Sequence, residues 1–300
     1  MPYEELADRF PNRALAWKLR TRTLRLPRTP RLMAIVNVTP DSFSDGGAYL
    51  DPSQAIDHAL RCVDQGAAIL DVGGESTRPY SQPVDAAEEL RRVISVIQRI
   101  SEQTDVPISI DTSKATVAAE AIAAGAEIIN DVTGLTGDAR MAEVACDSGV
   151  GVCAMHMQGT PQTMQDDPQY ANVVEDIFVY LKRRRDALIA AGIEQSRICL
   201  DPGVGFGKTH QHNLDLMAGC GRYHDLGQPL LVGHSRKGFV GKLLGDPDLD
   251  RTFGSVGGTL ALARQGVQII RVHDVRANHE ALRLFIECGG ADGIAGTMPS

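Results

Sequence analysis

The amino-acid sequence predicts an α/β fold, a single (β/α)8 TIM barrel with a short N-terminal extension. Eight short runs rich in valine and isoleucine are apolar on both faces, as expected for parallel strands that are covered on both sides. They alternate with longer stretches whose apolar residues have helical spacing. No segment has the composition of an interdomain linker, so the 300 residues favour one barrel over two domains. An open doubly wound sheet is the alternative, because a count of strands does not prove that the sheet closes.

The apolar runs give the predicted strands. In chain order they are 31–37, 67–72, 106–110, 126–130, 149–155, 196–201, 229–233 and 267–273. The clearest helical stretches are 86–100, 171–192 and 278–289. Glycines mark the points where helices should stop before the next strand, at Gly125, Gly149, Gly192 and Gly266.

The barrel is expected to span residues 31–288. Residues 1–30 precede the first strand and are expected to form an N-terminal extension or cap. The glycine-rich tail, 289–300, is expected to be disordered.

Composition excludes several classes of protein. Lys+Arg 30 against Asp+Glu 38 leaves a net charge of −8, which argues against a protein that grips nucleic acid through a basic face. The apolar stretches are too short and interrupted to span a bilayer, and the N-terminus lacks the pattern of a secretory signal. Six scattered cysteines without a C-x-x-C motif fit buried thiols in a reducing compartment. We therefore expect a cytoplasmic enzyme without nucleic-acid or membrane partners.

Polar residues follow nearly every predicted strand, where the active site of a barrel lies. They include Asn37, Asp71, Asp111, Asn130, His156, Asp201, residues 233–237, Arg271 and His273. A single such residue is ordinarily a helix N-cap, but a whole ring of them at one mouth is costly unless it binds something. The long loops 38–50 and 73–84 lie at the same end and are expected to act as lids.

Two local patterns do not carry the function. Residues 201–209 resemble a phosphate loop, but Pro202 stands where the P-loop pattern requires its first glycine. We interpret this segment as a glycine-rich turn that lets the backbone approach a ligand. His210 and His212 have no clear third ligand and are interpreted as surface residues rather than a zinc site.

Eight motifs in a fixed order carry a resemblance to a known family. They are MAIVNVTPDSFSDGG (33–47), DVGGESTRP (71–79), SIDTSK (109–114), INDVTG (129–134), MHMQGTP (155–161), DPGVGFGK (201–208), GHSRKGFVG (233–241) and RVHDV (271–275). With these motifs the chain closely resembles the dihydropteroate synthase family of folate biosynthesis, over residues 31–288. The resemblance implies a homodimeric, pterin-binding TIM barrel.

The family joins 6-hydroxymethyl-7,8-dihydropterin pyrophosphate to p-aminobenzoate and releases pyrophosphate with the help of Mg²⁺. The resemblance implies that this transferase reaction is dissociative, that loops 38–50 and 73–84 close over the site, and that sulfonamides inhibit. Departure of pyrophosphate would leave a pterin methylene cation, which water must not reach. No covalent nucleophile is needed.

The resemblance also implies roles for individual residues. The pterin would be bound by Asp111, Asn130, Met155, Asp201 and Lys237. The pyrophosphate would be bound by Asn37, Ser235, Arg271 and His273, with Asn37 as the ligand of Mg²⁺. The aminobenzoate would be bound by Phe43, Thr77, Arg78, Pro79, Phe206, Ser235 and Lys237. The catalytic group would comprise Asn37, Lys237, Arg271 and His273.

Two residues depart from the common family pattern: Tyr80 stands where many members have glycine, and His234 where leucine or threonine is common. Two other functions compete with the leading one. A corrinoid-linked methyltransferase would share the pterin-edge residues but would not need the intact S-R-K and R-V-H motifs. An inactive paralogue would be expected to lack Asn37, Arg78, Lys237 or Arg271, and all four are present.

Overall fold

The computed structural model describes residues 6–39, 52–77, 80–246, 248–290 and 293. Its strands, in chain order, are β1 (Ala16–Lys18), β2 (Thr23–Arg25), β3 (Arg31–Asn37), β4 (Ile69–Gly73), β5 (Ile108–Asp111), β6 (Ile128–Asp131), β7 (Gly151–Met155), β8 (Ile198–Asp201), β9 (Leu231–Gly233) and β10 (Ile269–Val272). β1 and β2 form an antiparallel hairpin. The other eight form one parallel sheet in the order β8-β7-β6-β5-β4-β3-β10-β9.

The two ends of this sheet meet. A parallel bridge joins Leu200 to Leu230, and the Leu200 N–H donates to the carbonyl oxygen of Pro229 at 2.9 Å. The sheet therefore closes into a (β/α)8 barrel, which confirms the predicted fold, and the open-sheet alternative is wrong.

The observed strands lie close to the predicted ones. The first is the predicted 31–37, and each of the other seven begins two residues later than predicted. The reason is that residues just before the strands, such as Ala67, Ala126 and Val267, are already buried where the hydrogen-bonded ladder has not yet begun. A prediction based on apolar runs therefore makes these strands two residues too long at their amino ends, because buried apolar residues precede the first residue of the hydrogen-bonded ladder.

Ten α-helices are described. They are α1 (Leu6–Arg9), α2 (Pro52–Asp64), α3 (Ala86–Ser101), α4 (Ala115–Ala123), α5 (Met141–Ser148), α6 (Val173–Ala190), α7 (His210–Ala218), α8 (Gly238–Leu243), α9 (Thr252–Arg264) and α10 (Val275–Glu287). The predicted helices 86–100 and 171–192 match α3 and α6, whereas α10 begins three residues before the predicted 278. The four glycines predicted to end helices all have positive φ, between 63° and 121°.

Two apolar layers explain why the strands are apolar on both faces. One cluster lies between the strands and the helices and includes Val36, Leu70 and Ile129. The other fills the barrel interior and includes Ile69, Ile128, Cys153, Cys199 and Ile269. Since side chains alternate along a strand, the residue two positions after each interior residue faces the same interior, nearer the carboxyl end. Those positions are Asp71, Asn130, Met155, Asp201 and Arg271.

The segment before β3 covers the amino end of the barrel. Trp17, Leu19 and Leu26 belong to the interior cluster. The Trp17 indole N–H donates to the carbonyl oxygen of Arg197 at 2.8 Å, just before β8. This end of the barrel is thus filled by the hairpin, and the polar positions lie at the opposite end.

Within the described residues, no helix is both long and apolar enough to cross a bilayer. All six cysteines are free thiols; Cys62, Cys153, Cys199 and Cys220 are buried, and Cys288 is exposed. Of the predicted tail 289–300, residues 289, 290 and 293 are described and the others lie outside the described residues, as do residues 1–5.

Candidate active site at the carboxyl ends of the strands

Arg271 on the last strand, β10, pairs with two carboxylates from strands early in the chain, Asp71 on β4 and Asp111 on β5. The Arg271 Nε–H donates to Asp71 Oδ2 at 2.6 Å, and an Nη2–H donates to Asp111 Oδ2 at 2.8 Å. The Asn130 amide also donates to Asp71 Oδ2, at 3.2 Å. These four residues lie at the carboxyl ends of β10, β4, β5 and β6, so parallel strands in register bring them to one mouth.

Burial sets the charge balance of this network. It raises the pKa of Asp111 to about 7, although Arg271 acts in the opposite direction and Asp71 adds to the rise. Burial also acts to lower the pKa of Arg271, but the two carboxylates outweigh it and hold the guanidinium charged. The mouth therefore contains a fixed cation beside a carboxyl that titrates near neutral pH.

A second charged pair lies across the mouth on β8 and after β9. Burial raises the pKa of Asp201 to about 6, opposed by the Gly203 N–H, which donates to Oδ1 at 2.7 Å, and by nearby cations. Burial lowers the pKa of Lys237 to about 7, opposed by Asp201. The Lys237 ammonium lies 4.3 Å from the centre of the Phe206 ring and donates to the carbonyl oxygen of Val204.

The turn after β8 explains why this segment is rich in glycine. Gly203, Gly205 and Gly207 all have positive φ. A Cβ on Gly203 would overlap the carbonyl oxygen of His156, and a Cβ on Gly205 would come within 2.5 Å of Lys237 Cδ. The turn thus packs closely against its own neighbours in the site, and the predicted approach of its backbone to a ligand stays a prediction.

Ser235 and His273 form the third part of the site. The Ser235 hydroxyl accepts the main-chain N–H of His273 at 3.2 Å and lies 3.1 Å from His273 Nδ1. Next to it, Arg236 has a φ of 56° and forms an ion pair with Asp274. The loops after β9 and β10 are thus joined through two adjacent pairs.

The two departures from the family pattern have clear structural settings. The His234 ring is fully buried and points away from the mouth, with Nε2 at 2.7 Å from the carbonyl oxygen of Ser255 on α9. Burial lowers its pKa to about 4, so it is neutral. Tyr80 is exposed and has a φ of 63°, the left-handed conformation that glycine adopts most easily.

A lysine outside loop 73–84 forms ion pairs that hold the start of this loop against α3. Lys114, which follows β5, donates to Glu75 and, at 2.5 Å, to Glu89 Oε2 on α3. Glu89 is fully buried, and its other oxygen has no partner among the described residues. Glu75 in turn accepts the main-chain N–H of Val84 at 3.3 Å, which joins the two ends of the loop.

Replacing Lys114 with methionine is expected to lower the free energy of unfolding by about 2–4 kcal/mol, because Glu89 would remain buried without a cation. Denaturant titration at pH 7.5 measures this. Glu75→Gln, which removes the more exposed carboxylate and keeps the lysine paired with Glu89, is the control and should change stability much less. Equal effects of the two variants would contradict the account.

The described residues do not include every predicted contact. Phe43, Arg78 and Pro79, predicted for the aminobenzoate, lie outside them, as does most of loop 38–50. Asn37 and Thr77 are described at the mouth, at the end of β3 and in loop 73–84, but within the described residues neither side chain hydrogen-bonds to another site residue. Met155 is buried at the end of β7, in register with Asp201.

Three residues belong to this site although the sequence analysis gave none of them a role in binding or catalysis. Asp71 joins Arg271 to Asn130. Lys208 and His156 are buried beneath the turn after β8, with Lys208 Nζ at 3.0 Å from His156 Nδ1. The available signal for Asp71 and His156 was their place at strand ends. Lys208 was set aside because it belongs to a segment that fails the phosphate-loop pattern.

The donor set does not build a complete metal site. Among the described residues there is no group of three or more histidine, cysteine or acidic side chains that could hold a metal ion. Mg²⁺ commonly keeps several waters and takes its remaining oxygens from few protein groups and from substrate phosphates. A single amide oxygen from Asn37 is compatible with a Mg²⁺ ion whose other ligands are waters and substrate phosphates.

Comparisons with known proteins agree with this geometry. Residues 33–273 match the family described as pterin binding enzyme. The chain is 45% identical over 255 residues to dihydropteroate synthase of Escherichia coli strain K12, covering 85% of this chain and 90% of that relative.

Solved structures show the same similarity. The Yersinia pestis dihydropteroate synthase in a sulfonamide drug complex has a TM-score of 0.86 and 44% identity, covering 92% of this chain and 100% of that one. The Xanthomonas albilineans enzyme in complex with 7,8-dihydropteroate has a TM-score of 0.82 and 41% identity, covering 91% and 98%. By sequence, fold and the residues at its mouth, the chain belongs to the dihydropteroate synthase family of pterin-binding enzymes.

Proposed function

We propose that this site condenses 6-hydroxymethyl-7,8-dihydropterin pyrophosphate with p-aminobenzoate to give 7,8-dihydropteroate and pyrophosphate. The observation that carries the proposal is the meeting of Asp111, Asn130, Asp201, Lys237 and Arg271 at one barrel mouth. The amino-pyrimidine edge of a pterin presents parallel N–H donors, and a buried carboxylate accepts two of them while rejecting ligands that lack them. Buried carboxylates flanked by cations fit a ligand with a donor edge at one end and phosphates at the other.

Each pterin contact is assigned from chemistry and position. Asp201 accepts the amino-pyrimidine edge, and Asn130 both donates and accepts beside it. Asp111 meets another ring nitrogen, and Lys237 donates to the ring carbonyl. Met155, buried next to Asp201, packs against the ring.

The pyrophosphate lies toward Arg271, His273, Ser235 and Asn37. Arg271 uses two of its N–H groups on Asp71 and Asp111, which leaves the others to donate to phosphate oxygens. Asn37 would hold Mg²⁺, which when bound supplies positive charge to the leaving pyrophosphate.

The reaction proceeds by departure of the pyrophosphate before the amine attacks. The bond between the methylene carbon and the phosphate oxygen breaks, and its electron pair leaves with the pyrophosphate. The methylene cation that remains is conjugated with the pterin, where the buried carboxylates Asp71, Asp111 and Asp201 stabilise its charge. The aminobenzoate nitrogen then forms the new bond to the methylene carbon and gives up a proton to the released pyrophosphate.

The aminobenzoate half of the site comprises Phe206, Ser235, Lys237 and Thr77, together with Phe43, Arg78 and Pro79. Lys237 and Phe206 are already in contact and form one wall. The carboxylate of the aminobenzoate fits the cations and hydroxyls of this set. Sulfonamides, which share the p-aminophenyl group and have sulfonyl oxygens where aminobenzoate has its carboxylate, are proposed to compete here; the Yersinia pestis relative has been solved in a sulfonamide drug complex.

Release of pyrophosphate from purified protein tests the function. With both substrates and Mg²⁺, we expect release that requires aminobenzoate and is matched by dihydropteroate, and we expect EDTA to abolish it. Methyl transfer to a corrinoid protein without pyrophosphate release would support the methyltransferase alternative. Pterin binding without release would support an inactive paralogue.

We further propose that the enzyme is a cytoplasmic homodimer. Its free thiols fit a reducing compartment. Leu243, Leu244, Leu249 and Phe253 are exposed together between the end of α8 and the start of α9, and Phe253 is 85% exposed. Exposed apolar patches of this kind commonly mark interfaces, and a second copy is the occupant proposed.

Substituting aspartate for Phe253 is expected to convert the dimer to a monomer, because a carboxylate in an apolar interface is costly to desolvate. Light scattering on a sizing column measures the mass. Val179→Asp, at another exposed apolar residue on α6, is the control and should leave the dimer intact. A wild-type monomer, or a Phe253→Asp dimer, would overturn this assignment.

A further inference from the structure

Lys208 is a buried lysine to which the proposed reaction gives no role. It is only 2% exposed. Its Nζ donates to the Phe206 carbonyl oxygen at 2.8 Å, lies 3.0 Å from His156 Nδ1, and is 3.5 Å from the His156 carbonyl oxygen. Among the described residues no carboxylate lies within ion-pair distance of it. Burial lowers the pKa of this amine well below its ordinary value, so hydrogen bonding rather than charge pairing has to account for its position.

His156, one of the two residues that Lys208 contacts, is held in place by the barrel. His156 is buried at the end of β7, and its main-chain N–H donates to the carbonyl oxygen of Asp201 at 2.9 Å. Its ring lies edge-on to the Tyr180 ring, with centroids 4.6 Å apart. Burial lowers the pKa of His156 to about 3, so the ring is neutral and can accept a hydrogen bond from Lys208.

The other contact of Lys208 is with the Phe206 turn, residues 203–207, which carries a wall of the aminobenzoate half-site. The Phe206 N–H closes the turn on the Gly203 carbonyl oxygen at 3.1 Å. The Phe206 ring faces Lys237, and the Phe206 carbonyl oxygen accepts a hydrogen bond from Lys208. The three glycines have no side chains, so hydrogen bonds to the main chain set the position of this turn; Lys208 donates one, Gln165 and Tyr170 donate others, and the Gly205 N–H donates to Asn213 Oδ1.

We propose that Lys208 is a positioning residue for the aminobenzoate half-site, which clamps the Phe206 turn to His156 and so holds the Phe206 ring against Lys237. The inference rests on the proposed function, because it concerns the affinity of one of its two substrates. It assigns no contact between Lys208 and either substrate. Four of the five proposed pterin contacts, Asp111, Asn130, Met155 and Asp201, lie on strands and only Lys237 lies on a loop, so pterin affinity should depend less on this clamp than aminobenzoate affinity does.

Lys208→Met tests the proposal, because methionine keeps the apolar stem and removes the donor. We expect the KM for aminobenzoate, measured at saturating pterin pyrophosphate, to rise about tenfold. We expect the dissociation constant of pterin pyrophosphate, measured by calorimetry without aminobenzoate, to change less than twofold. A folded variant with unchanged KM for aminobenzoate, or with both affinities weakened equally, would overturn the proposal.

A double-variant cycle separates positioning from general damage. If Lys208 acts through Phe206, adding Lys208→Met to Phe206→Ala should raise the KM for aminobenzoate little beyond the value of Phe206→Ala alone. Multiplied effects would overturn the proposal. Tyr170→Phe is the matched control, since the Tyr170 hydroxyl donates to the neighbouring Gly207 carbonyl oxygen at 2.7 Å. It should leave this KM nearly unchanged, and an equal rise would assign the effect to the turn as a whole and against Lys208.

Should Lys208→Met fail to fold, Lys208→Arg provides the measurement. Its longer guanidinium keeps a donor at this depth but displaces the Phe206 carbonyl group, so the KM for aminobenzoate should again rise while pterin affinity holds. A folded arginine variant with wild-type KM would contradict the clamp. Wild-type protein that releases no pyrophosphate would instead refute the proposed function, which keeps the two failures distinguishable.

Discussion

Replacing Arg271 with methionine is expected to destabilise the protein by about 3–5 kcal/mol at pH 8 and to abolish condensation. The guanidinium lies between Asp71 and Asp111, and Asp71 is fully buried. Removing it leaves two neighbouring buried carboxylates with no cation directly paired to them. Repulsion between them adds to the cost of their desolvation.

The loss of stability in Arg271→Met should be larger at high pH than at low pH. Asp111 already has its pKa raised to about 7, and loss of Arg271 would raise it further. Below that value the carboxyl is protonated and needs no cation, so the deficit of the variant should be smaller at pH 6 than at pH 8. Denaturant titrations of wild type and variant at both values measure this difference.

Two controls give the result its meaning. Arg271→Lys keeps the charge but cannot donate to two carboxylates in a fixed fork, so we expect intermediate stability and a large loss of activity. Arg276→Met removes an exposed arginine that is paired with Glu280 on α10, and should cost less than about 0.5 kcal/mol. An Arg271→Met variant as stable as wild type at pH 8 would show that the two carboxylates do not depend on this cation.

The strands and their carboxyl-end residues were predictable because both follow from local pattern. An interior residue such as Ile69 or Ile128 is followed two positions later by Asp71 or Asn130, and this period of two places the polar residue in the mouth. Register between parallel strands then brings together residues that are far apart in sequence. Arg271 and Asp71 are 200 positions apart and yet form an ion pair.

The sequence predicted which residues lie in the site better than it predicted which of them contact one another. Nothing local shows that Arg271 would be shared by two carboxylates, or that His234 would turn toward Ser255 on α9 and away from the mouth. Lys208 was passed over for a related reason. Its partners are a ring nitrogen and main-chain carbonyl groups, which a search for charged or metal-binding constellations does not detect.

Asp201→Asn is expected to weaken pterin binding about a thousandfold while making the ligand-free protein more stable at pH 8. The asparagine oxygen can still accept the Gly203 N–H, which Asp201 accepts at 2.7 Å, so the turn is retained. The amide NH2 group, however, would face the N–H donors of the pterin edge. Two donors cannot pair, and the charge that strengthens both hydrogen bonds is gone.

The stability gain follows from the raised pKa. Burial raises the pKa of Asp201 from 3.8 to about 6, so between these values the folded state binds more protons than the unfolded state. Wild-type stability therefore falls as pH rises through this window, by up to about 3 kcal/mol for this group. The asparagine variant lacks that loss, so its advantage should be absent below about pH 4 and complete above about pH 6.

Asp131→Asn separates charge from recognition. Asp131 is also buried, with its pKa raised to about 6, but it lies next to Asn130 on β6 and so faces away from the barrel interior. Its variant should gain stability with the same pH dependence and keep pterin affinity close to that of wild type. Calorimetric titration with pterin pyrophosphate and thermal unfolding from pH 4 to pH 8 measure both properties.

If Asp201→Asn alone loses affinity while both variants gain stability, the unfavourable charge at Asp201 serves the ligand. If Asp201→Asn binds pterin within about threefold of wild type, Asp201 does not accept the pterin edge.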